Sequence, residues 1–244
     1  MNYKILIRPF GESAILVEWP AEVSEDILQD ILTFYHYLKK NCLTGADWEM
    51  VCAYNSLTLI RREKKIDFKV LSQQLQKWYT EKEGVPLPKR HIWKMPVCYE
   101  EEYGIDLSDV SLKLKLSIEE IIKDHTSGVY TLYGIGFLPG FMYLGGISEK
   151  LEIPRKETPR LKVMQGAVGL AAKQTGIYPQ ESPGGWNIIG NCPVPMFKVE
   201  AENPCFVTVG DKIQFYEVSK AEYELIKIQL EIGIFKLEKT PVDA

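Results

Sequence analysis

Long apolar runs are missing from this 244-residue chain. None approaches the roughly 18 consecutive residues that a membrane-spanning helix needs. The N-terminal MNYKILIRPFGESAILVEW has one short apolar run, broken by Arg8, and no h-region with a small-residue cleavage site. No membrane contact and a cytoplasmic location are therefore expected. An excess of basic charge is also missing. The chain has 29 Lys and Arg against 33 Asp and Glu, a net charge of −4, with no basic stripe, which argues against nucleic acid as a partner. The five cysteines, Cys42, Cys52, Cys98, Cys192 and Cys205, are odd in number, scattered and without a CxxC pair. That pattern fits reduced thiols better than a zinc site or disulfide framework; any one could be a nucleophile, though a small buried hydrophobe is the simpler reading of each, and no metal is expected. There is no GxSxG, HExxH or GxGxxG motif. The run Gly166-Ala-Val-Gly-Leu-Ala-Ala-Lys-Gln-Thr175 hints at a phosphate loop. A P-loop, however, needs Gly directly before the lysine and Ser or Thr directly after it, where this chain has Ala172 and Gln174.

What is present begins with a small α+β pattern. Strands are predicted over residues 3–8 and 14–18, then a helix started by Ser24 with Glu25 and Asp26 in its first turn. Ile27, Ile31, Tyr35 and Leu38, joined by Leu28 and Leu32, form its apolar stripe. Residues 51–60 read as one strand. Residues 68–82 read as a second helix with Leu71, Leu75 and Trp78 on one face. Gly84-Val-Pro-Leu-Pro88 cannot continue it, so a boundary is placed between domains 1–86 and 87–244.

The second domain opens with a strand over 91–99 and helices near 106–115 and 118–125, the latter with a Ser117/Glu120 capping box. Short β-runs between Gly and Pro corners follow, over 130–137, 167–171, 186–189, 206–209 and 213–217, a pattern that argues for a barrel or closed sheet. A last helix starts at Ser219 with a box to Glu222 and a stripe of Tyr223, Ile226 and Leu230.

The densest region is 131–196. GFLPGFMYLGG (136–146) alternates aromatic groups with Gly and Pro, as a packed corner or a rigid cleft wall would. PRKETPR (154–160) places Arg155 and Arg160 on a proline-stiffened loop suited to a carboxylate or phosphate. QTGIY (174–178) and ESPGGW (181–186) put amide, hydroxyl, phenol and carboxylate groups on what read as turns. His125 ends a helix before Gly128. Two roles suit it: a cationic cap on the helix C-terminus, with Gly128 left-handed after it, or a proton carrier.

These segments, with PVCYEEEYGIDL (96–107), HTS (125–127) and VGDKIQFYEV (209–218), make the sequence resemble the family of 5-oxoprolinase B subunits and kinase A inhibitors, also called carboxyltransferase subdomains C and D. The resemblance implies an α+β protein: a small α+β N-terminal domain followed by a cyclophilin-like β-barrel. It implies a heteromeric complex with a homologue of the 5-oxoprolinase C subunit, working jointly with the A subunit. That complex opens 5-oxo-L-proline to L-glutamate using ATP. This chain shows no evident ATP site of its own, and biotin dependence is left open. Inhibition of a sensor histidine kinase and carboxyltransferase action on another amide are the alternatives. On this reading, His125, Glu181 and Arg160 are the expected catalytic residues. Arg155, Gln174, Thr175, Tyr178, Gly140 and Gly184 are expected to bind a small anionic substrate. One departure is Ala171-Ala172-Lys173, where relatives usually carry a Gly-rich step; its side chains are expected to narrow the room for a ligand.

Overall fold

A computed structural model describes residues 3–82, 86 and 89–242. The chain divides into two compact units, Met1–Lys89 and Arg90–Ala244. The expected boundary segment lies mostly outside the described residues.

The first unit is a four-stranded antiparallel sheet with two helices. Strands β1 (Leu6–Pro9), β2 (Ala14–Glu18), β3 (Trp48–Ala53) and β4 (Ser56–Arg61) lie in the order β1-β2-β4-β3. Helix α1 (Glu25–Asn41) starts where Ser24 accepts a hydrogen bond from the Asp26 amide, and Asp67 caps α2 (Phe68–Glu81) through the Val70 amide. The α1 stripe buries Ile27, Leu28, Ile31, Leu32, Phe34 and Leu38; Phe34, rather than the half-buried Tyr35, fills the centre. On α2 the buried aromatic is Tyr79 instead of Trp78. The single strand expected over 51–60 is in fact a hairpin. It reverses at Tyr54 and Asn55, with Tyr54 in the left-handed region at φ 51°. A bulky residue rarely adopts that conformation, so the turn left no composition signal.

The second unit is built on a large, mainly antiparallel sheet. Its strands are β5 (His91–Val97), β6 (Val129–Ile135), β7 (Met142–Gly145), β9 (Ala167–Ala171), β10 (Gln174–Ile177), β12 (Asn187–Asn191), β13 (Lys212–Glu217) and β14 (Lys239–Pro241). The ladders run β14-β5-β13-β6-β7-β10-β9-β12; only the β5–β13 pair among them is parallel. A separate pair joins β8 (Arg160–Val163) to β11 (Ser182–Gly184). Helices α3 (Leu107–Leu114), α4 (Ile118–Ser127) and α5 (Lys220–Glu231) complete the unit. Both capping boxes form, Ser117 with Glu120 and Ser219 with Glu222.

The expected barrel does not appear as a continuous closed ladder. An isolated bridge, Cys98 with Asn191, links the chain just after β5 to the last residue of β12, and β12 shifts register between Ile188 and Gly190. Met95, Val97, Leu132, Leu144, Leu170, Ile177, Ile189, Ile213 and Phe215 fill the core between the strands. Fully burying an aliphatic or phenyl side chain of this size contributes about 1.5–3 kcal/mol. Residues 206–209, expected as a strand, form none; there the Thr208 amide and hydroxyl bond the Asp211 carboxylate in a tight turn. Of the expected polar turns, 174–177 is strand β10 and 182–184 is strand β11.

Candidate functional site

The proline-stiffened loop and the ESPGGW segment are two sides of one structure. Arg160 opposite Gly184 and Val163 opposite Ser182 pair β8 with β11. The Lys156 amide donates to the Gly185 carbonyl at 2.8 Å, and Asn187 Nδ2 donates to the Pro154 carbonyl at 2.9 Å. The loop is thereby tied down along its length. Its exposed Arg155 carries its guanidinium over the Trp186 ring, 5.8 Å from the centroid, an attractive cation–π arrangement.

Behind Trp186 stands the aromatic wall. Phe141 packs edge-on against Tyr178 and Trp186 at centroid distances of 5.3 and 5.4 Å, and Tyr143 lies against both Phe141 and Trp186. These are the geometries that aromatic quadrupoles prefer. Burial raises the Tyr178 phenol above its ordinary range, while Arg155 and Arg160 pull in the opposite direction. The phenol is therefore neutral at physiological pH and a hydrogen-bond donor. Phe137, on the same wall, is exposed and left-handed at φ 67°, a strained choice for a non-glycine residue.

A residue given no role by sequence reasoning holds the loop in place. Asp106 precedes α3, yet its side chain makes no cap bond. The carboxylate turns to the loop instead. It accepts from Arg160 Nη1 at 2.8 Å and from Arg160 Nη2, from Lys156 Nζ at 2.7 Å, and from the Ile188 amide at 2.8 Å. Burial alone would raise this carboxyl; the hydrogen bonds from Arg160, Lys156 and Ile188 hold it below its ordinary range. The only hint in the sequence was its place in the PVCYEEEYGIDL segment.

The expected site residues divide into those the structure gathers and those it separates. Arg155, Arg160, Tyr178 and Gly184 come together around Trp186. Gly184 leaves room for Tyr178: a Cβ there would lie 2.3 Å from the phenol oxygen. Gly140 is left-handed at φ 84°, and its missing Cβ accommodates the Met196 carbonyl. The need it meets is internal packing. Thr175 is fully buried and half-buried Gln174 lies beside it on β10. Glu181 is exposed and pairs with Lys162 at 3.1 Å. It lines a separate groove of about 730 Å³ with Asn191, Pro195, Lys198, Tyr223 and Lys227.

His125 departs furthest from expectation. It is 0% exposed, stacked on Phe215 at 4.5 Å, inside the core. Gly128 is extended at φ −76°, not left-handed. The Thr175 hydroxyl donates to the Gly169 carbonyl at 3.1 Å, so it accepts from His125 Nε2 at 3.0 Å; His125 Nδ1 then accepts from the Tyr99 hydroxyl at 2.6 Å. Both ring nitrogens are satisfied internally. Desolvation drives the pKa from 6.5 to about 3. The cationic cap is overturned, because a charge here would be stripped of water without an anionic partner.

Other chemistries find no support in the geometry. Burial pushes Cys52 and Cys192 up to about 12, far from thiolate character. Gly166 packs against the Cys192 carbonyl, which a Cβ would approach to 2.3 Å; it serves a tight corner of the fold. Among the described residues no group of three His, Cys, Asp or Glu is placed to hold a metal ion, and no helix is long and apolar enough to cross a membrane.

Residues 5–207 match the family described as carboxyltransferase domain, subdomain C and D. The chain belongs to this family. It is 32% identical over 237 residues to the B subunit of 5-oxoprolinase from Bacillus subtilis, a match covering 93% of this chain and 98% of that protein. The B subunit of 5-oxoprolinase from Haemophilus influenzae is 38% identical over 209 residues, covering 86% and 96%. Among solved structures, urea amidolyase of K. lactis superposes with a TM-score of 0.81 at 20% identity. That match covers 99% of this chain and 16% of the much longer protein, and at such identity it speaks for the fold alone. The family match and the full-length relatives make this a carboxyltransferase-type subunit.

Proposed function

We propose that the protein is the B subunit of a 5-oxoprolinase that, with its A and C subunits, opens 5-oxo-L-proline to L-glutamate at the expense of ATP. Support comes from the two B-subunit relatives, which align with nearly their whole length. The observation that carries the site is Arg155. Lys156 and Arg160 are engaged by Asp106, whereas among the described residues no carboxylate pairs with Arg155. An exposed guanidinium laid on an indole suits the carboxylate of a small anionic lactam, with the ring against aromatic carbon.

Opening a stable lactam requires an activated amide. Transfer of the ATP γ-phosphoryl group to the lactam oxygen would release ADP. Attack of a first water on the lactam carbon and cleavage of its bond to nitrogen, which takes up a proton, would leave an acyl phosphate; a second water would then hydrolyse it to glutamate and phosphate. The nucleotide and the proton-moving groups are assigned to the partner subunits. His125 is buried and neutral, and the Glu181 carboxylate is exposed beside Lys162. The chain is read as inactive alone. No observation favours a histidine kinase as the partner.

The test is co-expression with the A and C subunits, with measurement of 5-oxoproline-dependent ADP and glutamate. Arg155→Ala is expected to raise KM for 5-oxoproline by about ten- to a hundredfold, since a hydrogen bond to a charged group contributes about 1.5–3 kcal/mol. A complete complex without lactam-dependent turnover, or an unchanged KM in the variant, would overturn the proposal.

A further inference from the structure

We infer that Asp106 is the positioning residue of this site: it sequesters Arg160 and Lys156 and so leaves Arg155 as the one cation of the loop presented to an anionic substrate. The inference rests on the reading of Arg155 as the carboxylate-binding group. Residues 154–160 bring three cations into seven positions. Left alone, such a cluster would repel itself and sample many arrangements, because long cationic side chains carry large rotamer freedom. The 1% exposed Asp106 resolves this. One of its oxygens takes Lys156 and one arm of the Arg160 fork; the other takes the second arm and the Ile188 amide.

The backbone at Asp106 is held as firmly as its side chain. The Asp106 amide donates to the Ile188 carbonyl at 2.9 Å, so α3 and β12 are joined by two bonds at one residue. The clamp then reaches both sides of Arg155 in the sequence: Lys156 next to it, and Arg160 at the start of β8. Arg155 cannot follow its neighbours onto Asp106, whose acceptor positions are occupied. It lies instead over Trp186. The bidentate Arg160 fork supplies direction as well as charge, which a lysine could not.

Two measurements test this. The first needs no substrate. The whole chain is treated with phenylglyoxal, which modifies arginines, and the modified sites are mapped by mass spectrometry. Arg155 is expected to react and Arg160 to be protected, with protection of Arg160 lost in Asp106→Asn. Equal reactivity of the two arginines in the unaltered protein would overturn the inference. The second uses the reconstituted complex. Asp106→Asn keeps an acceptor for the Ile188 amide and removes the charge. It is expected to raise KM for 5-oxoproline at least fivefold while kcat changes less than twofold, and Asp106→Glu is expected to recover part of the loss. Combined with Arg155→Ala, Asp106→Asn is expected to add nothing further. A loss confined to kcat and to melting temperature, with KM unchanged, would make Asp106 merely structural. If the unaltered complex lacks lactam-dependent turnover, the functional reading fails, and the arginine protection still decides the role of Asp106.

Discussion

Replacing His125 by glutamine is expected to remove most of the acid sensitivity of the second unit between pH 7.5 and 5. In the folded protein the imidazole is neutral, with a pKa lowered from 6.5 to about 3 by desolvation. The unfolded chain therefore binds a proton that the folded chain refuses. Stability contributed by the neutral ring is complete above pH 6.5. It falls as pH drops below 6.5 and levels off only below the folded-state pKa. At pH 5 the imbalance amounts to about 1.5 pH units, or about 2 kcal/mol at roughly 1.36 kcal/mol per unit. The figure barely changes for any folded-state pKa below about 4, because the folded ring is unprotonated at pH 5 in every such case. Glutamine can accept from Tyr99 and donate to Thr175 as the ring does, but it cannot titrate. Its loss of stacking on Phe215 lowers stability equally at both pH values. The assay is urea unfolding followed by tryptophan fluorescence at pH 7.5 and 5.0 for both proteins. Titrations elsewhere, at His36 for example, cancel in the difference. If the two proteins lose the same free energy on acidification, His125 is protonated in the folded state and the buried relay is wrong.

Two further substitutions probe backbone and packing. Ala172→Gly relaxes an exposed residue held at φ 51° in the turn between β9 and β10. Left-handed geometry costs a non-glycine residue about 1–2 kcal/mol, partly offset by glycine's larger unfolded-state entropy; the expected gain is about 0.5–1 kcal/mol, read as a higher melting temperature. Gly184→Ala drives a methyl group into the Tyr178 phenol. A loss of about 1–3 kcal/mol is expected from overpacking, measured by chemical denaturation, with a raised KM for 5-oxoproline as Trp186 and the arginine loop shift.

Much of the local structure was legible along the chain. Ser24, Ser117 and Ser219 start their helices as their capping chemistry requires, and the strand over 167–171 falls where its apolar run lies. These are contacts within a few residues, which sequence spacing encodes directly. The aromatic wall, the arginine loop and the ESPGGW segment were legible as pieces for the same reason. The departure at Ala171-Ala172-Lys173 was legible too. In the fold it brings backbone strain at Ala172 and pairs the exposed Lys173 with the half-buried Glu152.

What the chain order could not reveal was which charges and rings would be consumed internally. His125 meets Thr175 from 50 positions away and Phe215 from a strand still further along. Packing between them removes it from water and keeps it neutral, which rules out the cationic cap. Asp106 meets Arg160 across 54 positions, and that encounter alone separates the held arginine from the presented one. The sequence by itself determined the family, the caps and the inventory of groups near the site. Tertiary structure decided which remain available, because desolvation and pairing depend on neighbours brought together only by the fold.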